Sequence, residues 1–223
     1  MSLGTSTLET QPGADGVWGY EFRDSIGGTA RPALFLDRDG VIVEEVNYLH
    51  RPEDVRLCVG AAEFISLANR QGTPVIVVTN QSGIGRGYYD WPDFTAVTLT
   101  INELLEQKGA MLDALYACPF HRDAKPPYNE DNHPGRKPNP GMLERAFENL
   151  NLDRDGSWII GDTADDLAAG RAAGLAGGVH VLTGHGKRER PRVAMLENKK
   201  FKISLVANLL EARHLLPMLS NDK

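Results

Sequence analysis

The run PVIVVT at residues 74–79 is apolar and largely β-branched, with no polar residue at alternate positions. A strand with one wet face alternates apolar and polar side chains. A continuous run suits a strand covered on both faces, as in a parallel sheet between helices. ALFLD at 33–37 and SWIIG at 157–161 read the same way, and 112–117 and 178–182 supply two more strands. Between these runs the apolar residues take a helical period: Ala61, Phe64, Ile65 and Ala68 in 60–71, and Phe94, Val97, Ile101, Leu104 and Leu105 in 92–108. Helices are also expected at 140–150, with Pro140 near a first turn that tolerates it, at about 164–173 and around 204–216. Strand–helix alternation predicts an α/β fold, a Rossmann-like open parallel sheet with helices on both faces. No helical insertion after Gly40 or between 80 and 118 is long enough for a large cap domain.

The 223 residues allow one sizeable domain, expected over 31–220. Residues 1–30 are rich in Gly, Ser and Thr and read as a loosely ordered extension, with GVWGYEF its only strand-like piece. A net charge of −6 argues against nucleic acid or an anionic membrane as partner, and no apolar run has the length of a membrane span. Lys187, Arg188, Arg190 and Arg192, and separately Lys199, Lys200 and Lys202, read as solvated loop charges. Two cysteines, Cys58 and Cys118, argue against a disulfide scaffold and point to a reducing cytoplasm. The sequence leaves the oligomeric state open, with a monomer favoured.

In open parallel sheets ligands bind beyond the carboxyl ends of the strands, where strand order reverses. Asp37-Arg38-Asp39-Gly40 follows the first run, Thr79-Asn80-Gln81-Ser82-Gly83 the second, and Asp162, Asp165 and Asp166 the SWIIG run; Arg136-Lys137-Pro138 precedes a helix. Singly, each acid reads as a turn former or helix cap. Together they suit phosphoryl transfer. A phosphate monoester repels a carboxylate unless cations offset the charge. Asp37 and Asp162 suit Mg²⁺, a hard cation that prefers oxygen ligands. Lys137 adds a second positive charge, and Thr79 with the N–H groups of 80–83 suits phosphate oxygens. Asp37 is then a nucleophile and Asp39 an acid/base, with Gly40 permitting the sharp turn between strand and loop. Arg38 is expected to point away and be structural.

The segments FLDRDGVI, VVTNQSGIGRGYY, CPFH, GRKPNPGM and IIGDTADDLAAGRAAG resemble the haloacid dehalogenase-like phosphohydrolase superfamily. Within it they resemble the branch of D-glycero-D-manno-heptose bisphosphate phosphatase and histidinol-phosphate phosphatase, over about residues 33–216. The resemblance implies Asp37, Asp39, Thr79 and Lys137 as catalytic residues, and Asp37, Asp39 and Asp162 as the Mg²⁺ site. Asp166 is implied as a supporting carboxylate, with a helix-cap role the equal alternative. Substrate contacts are expected from Asn80, Gln81, Ser82, Arg86 and Arg136, with Tyr48 and His50 nearby. Members of this branch carry a zinc loop whose positions here are Cys118, Phe120, His133 and Gly135. Only Cys118 and His133 can ligate, with His121 a displaced third, so structural Zn²⁺ is not expected. The implied activity is Mg²⁺-dependent hydrolysis of a small sugar phosphate of the heptose bisphosphate type. Alternatives are histidinol phosphate or another small phosphorylated metabolite as substrate, a nucleic-acid 3′-phosphatase, a phosphomutase, or a non-catalytic phosphate-binding protein on the same scaffold.

Overall fold

A computed structural model describes residues 11–22 and 28–219. Seven strands form one sheet in the order β1-β4-β3-β2-β5-β6-β7, where β1 is Trp18–Glu21, β2 Arg31–Leu36, β3 Val75–Asn80, β4 Ala114–Cys118, β5 Leu152–Gly161, β6 Gly177–His180 and β7 Lys202–Leu205. All neighbours are parallel except β1, which runs antiparallel to β4. The chain winds from β2 outward to β4, then returns to the far side of β2 as β5. The switch point therefore lies at the carboxyl ends of β2, β3 and β5.

The uninterrupted apolar runs are explained by burial on both faces. Leu34, Leu36, Val75, Val77 and Ile160 belong to one core, under the helices α1 (Ala61–Arg70) and α3 (Trp91–Glu106). Their strand neighbours Ala33, Phe35, Ile76, Val78 and Ile159 belong to a second core, under α4 (Gly141–Asn149) and α5 (Ala164–Ala172). Two shorter helices complete the set, α2 (Ser82–Arg86) and α6 (Gly186–Val193). Between Gly40 and α1 the chain forms one 3-10 turn, Pro52–Asp54, and two isolated bridges, so no cap domain covers this side of the sheet. Among the described residues no helix is long and apolar enough to cross a membrane.

Three expectations need correction. The helix expected around 204–216 is instead β7 followed by a 3-10 helix, Leu209–His214. Leu209, Ala212 and Leu216 are buried at helix-like spacing, but the preceding residues pair with the outer edge of β6. The basic run at 187–192 is not a loop but part of α6. Its Arg190 donates to the carbonyls of His180 and Val206, while Arg192 pairs with Asp165 and Glu189. Residues 1–30 are not uniformly a loose extension, because Trp18 is fully buried and stacks on Trp91 at 5.8 Å. Residues 1–10 and 23–27, which that reading also covers, lie outside the described residues.

Candidate active site

Asp37 follows β2 and extends its ladder by one bond, donating N–H to Ile160 O at 2.9 Å. The chain then turns at Gly40, where φ is +77°. A Cβ at Gly40 would stand 2.6 Å from Asp162 Oδ2 and 2.9 Å from Gly184 Cα, so a side chain there would split the site. Asp162 follows β5, and its Oδ2 accepts the His185 N–H at 2.6 Å. One turn on, Asp166 closes a capping box with Thr163 at the start of α5. Its Oδ2 accepts the Thr163 N–H, and its Oδ1 lies 2.6 Å from Lys137 Nζ. One Asp166 oxygen thus serves the helix cap and the other the ion pair with Lys137.

Lys137 binds these elements together. Its ammonium donates to Asp37 Oδ1 at 2.7 Å and to Val78 O at 2.7 Å, and meets Asp166 at 2.6 Å. Those partners account for the three donors of an ammonium. The side-chain amide of Asn80 bonds the Lys137 backbone in both directions, at 3.1 Å each. Asn80, expected at the substrate, thus also fixes the loop that carries the lysine.

Oxygens of Asp37, Asp162 and Asp166 lie within 4.8 Å of one another, the one such group of three among the described residues. The Asp39 side chain is not in this group; Asp166 joins Asp37 and Asp162 in it. Three buried carboxylates share one ammonium, leaving net negative charge where water is scarce. Burial pushes Asp37 up to about 7, Asp166 and Asp39 add to the rise, and Lys137 opposes it. Burial, then Asp37 and Asp166, push Asp162 up to about 8. An all-oxygen donor set with surplus negative charge fits a hard divalent cation.

The pH dependence follows. A carboxyl whose folded pKa lies above its unfolded value contributes stability that is complete below about 4 and lost as pH rises through the folded pKa. Between pH 6.5 and 8.5 the cation-free protein should therefore lose thermal stability, on the order of a few kcal/mol. Mg²⁺ takes the place of the protons, so the rise in Tm on adding it should be larger at pH 8.5 than at 6.5. A Mg²⁺ effect that shrinks with pH in thermal unfolding would contradict this reading.

A second ring of side chains surrounds Asp39. Arg38 does not point away: it is 2% exposed and grips both Asp39 oxygens, with Nε and Nη2 each at 3.0 Å. Its guanidinium lies over the Phe94 ring, 5.4 Å from the centroid. Gln81, expected at the substrate, is also buried. Its Nε2 donates to Asp39 Oδ2 and Thr79 Oγ1, while its Oε1 accepts from Tyr89 and Arg38. We expect Arg38→Gln to lower kcat about 100-fold with little change in KM, because Asp39 loses the fork that orients it. Steady-state kinetics check this, and an unchanged kcat would leave Arg38 with packing alone.

These groups open on a cleft of about 320 Å³ lined by Asp37, Asp39, Thr79, Ser82, Arg136 and Lys137. Glu45, Tyr48 and His185 line it too, although the sequence reading missed Glu45 and His185. His185 lies five residues beyond β6, a strand whose carboxyl end is at the same edge of the sheet as those that carry the acids. Glu45 sits in a loop without periodicity and carried no signal; burial, with Asp39 adding, pushes its carboxyl up to about 7. His50 Nδ1 donates to Tyr48 O at 2.7 Å, and its ring stacks on Tyr89 behind the cleft wall. Arg86 is not a lining residue. It bonds Tyr48 Oη, His121 and Asp123, tying the loop after β4 to the loop after β2. In that loop His133 stacks on Phe120 with centroids 3.7 Å apart, and His133 Nδ1 accepts the Gly135 N–H. Cys118 is buried at the end of β4, where burial pushes its thiol up to about 11.

The fold and site together define a phosphohydrolase of the haloacid dehalogenase type, and a family model described as HAD-hydrolase-like matches residues 135–212. A D-glycero-beta-D-manno-heptose-1,7-bisphosphate 7-phosphatase of Mesorhizobium japonicum is 44% identical over 175 residues, 78% of this chain and 79% of its own. A D-glycero-alpha-D-manno-heptose-1,7-bisphosphate 7-phosphatase of Photorhabdus laumondii is 37% identical over 76% of this chain and 93% of its own. Among solved structures, a HAD-like phosphatase from Mesorhizobium loti superposes with a TM-score of 0.82 at 36% identity, covering 96% of this chain and all of that one. The D,D-heptose 1,7-bisphosphate phosphatase of B. bronchiseptica, complexed with magnesium and phosphate, gives 0.69 at 28% identity over 83% of this chain and 98% of that one. The chain belongs to the haloacid dehalogenase-like phosphatases, in the family of the heptose-1,7-bisphosphate 7-phosphatases.

Proposed function

We propose that the chain is a Mg²⁺-dependent phosphatase that removes one phosphate from a bisphosphorylated heptose through an aspartyl-phosphate on Asp37. The observation that carries this is Lys137 pinned between Asp37 and Asp166, with Asp162 alongside, at the floor of an open cleft. Asp37, Asp162 and Asp166 would hold the cation, which when bound offsets the repulsion between the incoming phosphate and these carboxylates. Asp37 attacks phosphorus, and Lys137 neutralises the charge that develops on the phosphoryl oxygens. Thr79 Oγ1 accepts from Gln81, which leaves its own proton to donate to a phosphoryl oxygen. The Gln81 N–H is engaged by Cys118 O, which removes it from the expected donors of 80–83; Ser82 and Gly83 offer theirs in the first turn of α2. Asp39, oriented by Arg38 and Gln81, protonates the leaving alcohol and then takes a proton from the hydrolytic water.

The substrate class is supported by the names of the relatives, which cover both the α and the β anomer. Arg136 beside Lys137 suits a second phosphate, since a guanidinium grips phosphate oxygens in a fork. All these groups come from one chain, so a monomer can act alone, as a single domain over 31–220 that β1 joins. A small phosphorylated sugar as substrate suits the cytoplasm. The test is phosphate release with Mg²⁺ on both anomers of the heptose bisphosphate, on histidinol phosphate and on an aryl monophosphate. We expect kcat/KM at least about 100-fold higher for a heptose bisphosphate than for the monophosphates, the difference that one charged contact supplies. Equal values would reject the substrate class while leaving the chemistry in place.

A further inference from the structure

The residues ahead of β1 cross the loop that leaves β4. Gly16, at φ +74°, lies against its rings: a Cβ there would come within 2.6 Å of His133 Cε1 and 2.7 Å of Phe120 Cε2. Val17 packs on the same loop, since a Cβ at Gly135 would stand 2.8 Å from Val17 Cγ2. Under this cover His133 is only 8% exposed and lies parallel to Phe120, with an interplanar angle of 6°. The segment is anchored from its other side as well. Arg145 of α4 pairs with Asp15 at 3.0 Å and donates to Val17 O, while Gly13 N donates to Val17 O at 2.9 Å.

The ring stack leads to the cleft. Phe120 O accepts Arg136 Nη1 at 3.0 Å, and the Arg136 N–H donates to His133 O at 2.9 Å. Arg136 is thus held at its backbone by one member of the stack and at its guanidinium by the other, and it lines the cleft beside Lys137. The contacts run unbroken from Asp15 through Gly16 and the stack to the guanidinium.

We propose that residues 11–17 are a positioning strap for Arg136, which holds its guanidinium ready for the second anionic group of the substrate. This rests on the reading of Arg136 as a substrate contact. A guanidinium fixed before binding loses less freedom on binding, so the strap acts on KM rather than on the chemical step. It touches neither the substrate nor the reacting atoms.

Gly16→Val in the full chain tests it, because a β-branched residue at positive φ would collide with His133 and lift the segment. We expect KM for the heptose bisphosphate to rise about 10-fold with kcat within about 2-fold, and kinetics on an aryl monophosphate to stay unchanged. In an Arg136→Ala background Gly16→Val should add nothing further. Asp15→Ala, a change at a half-exposed side chain that leaves the fold intact, should shift KM in the same direction by less. His133→Ala should reproduce the KM effect, and His133→Phe, which keeps a ring on Phe120, should restore most of it. Amide exchange across 119–135 should quicken in Gly16→Val with no substrate present. An unchanged KM and exchange in folded Gly16→Val, or an equal KM rise without Arg136, would overturn the proposal. If the wild type releases no phosphate from the bisphosphate, the substrate reading fails on its own, and unchanged exchange would still reject the strap.

Discussion

Asp37→Asn should lower kcat by about 10⁴-fold or more while the chain stays folded, because no neighbouring group can replace the attacking oxygen. Asp39, the next carboxylate along the chain, has both oxygens held by Arg38 and is not within the Asp37–Asp162–Asp166 group. Asparagine keeps the shape of the side chain and an oxygen for Lys137 Nζ, which lies 2.7 Å from Asp37 Oδ1. It also removes one negative charge from a buried cluster whose burial already holds Asp37 at about 7. Thermal stability without cation at pH 8 should therefore equal or exceed that of the wild type. The two readouts, phosphate release at saturating substrate and thermal unfolding, move in opposite directions. A misfolded variant would lower both, and retention of a tenth of the activity would place the nucleophile elsewhere.

Lys137→Met should act on both readouts in the same direction. At 3% exposure the ammonium faces two carboxylates and a carbonyl, and an apolar side chain would leave Asp37 and Asp166 buried without their counter-charge. Breaking a buried pair from one side costs about 3–5 kcal/mol, or roughly 10 °C in Tm for a chain of this size. Activity should fall by at least about 100-fold as well, since the charge on the transferring phosphoryl group loses a fixed cation. Mg²⁺ should recover part of the Tm, because it offsets the same carboxylates. Adding Asp37→Asn to Lys137→Met should destabilise by less than the sum of the two single changes, since one removes the charge that the other exposes. Full additivity in thermal unfolding would show that the two side chains are not coupled.

The sheet was legible because Ile76, Val77 and Val78 face both cores in turn, and a strand buried on both sides has to be apolar throughout. The acids were legible because each follows a strand, where topology rather than local sequence brings them together. Arg38 departs from the expected outward direction for a physical reason. Side-chain alternation holds only while the strand lasts, and beyond Leu36 the turn at Gly40 swings the guanidinium back onto Asp39. Asn80 and Gln81 look like ligand contacts, and both line the cleft, but their side-chain amides also bond within the protein, as the buried Gln81 amide must. Trp18 gave no periodic signal because its partner, Trp91, is distant in the chain and meets it only after the sheet has formed.

The central claim is that Asp37 carries the phosphoryl group between substrate and water. Acid quenching during turnover, borohydride reduction and peptide mass spectrometry test it directly, because reduction converts a phosphorylated aspartate to homoserine. The account predicts homoserine at position 37, formed only when substrate and Mg²⁺ are both present. Steady turnover with aspartate intact at 37, or homoserine at 39 or 162 instead, would contradict it.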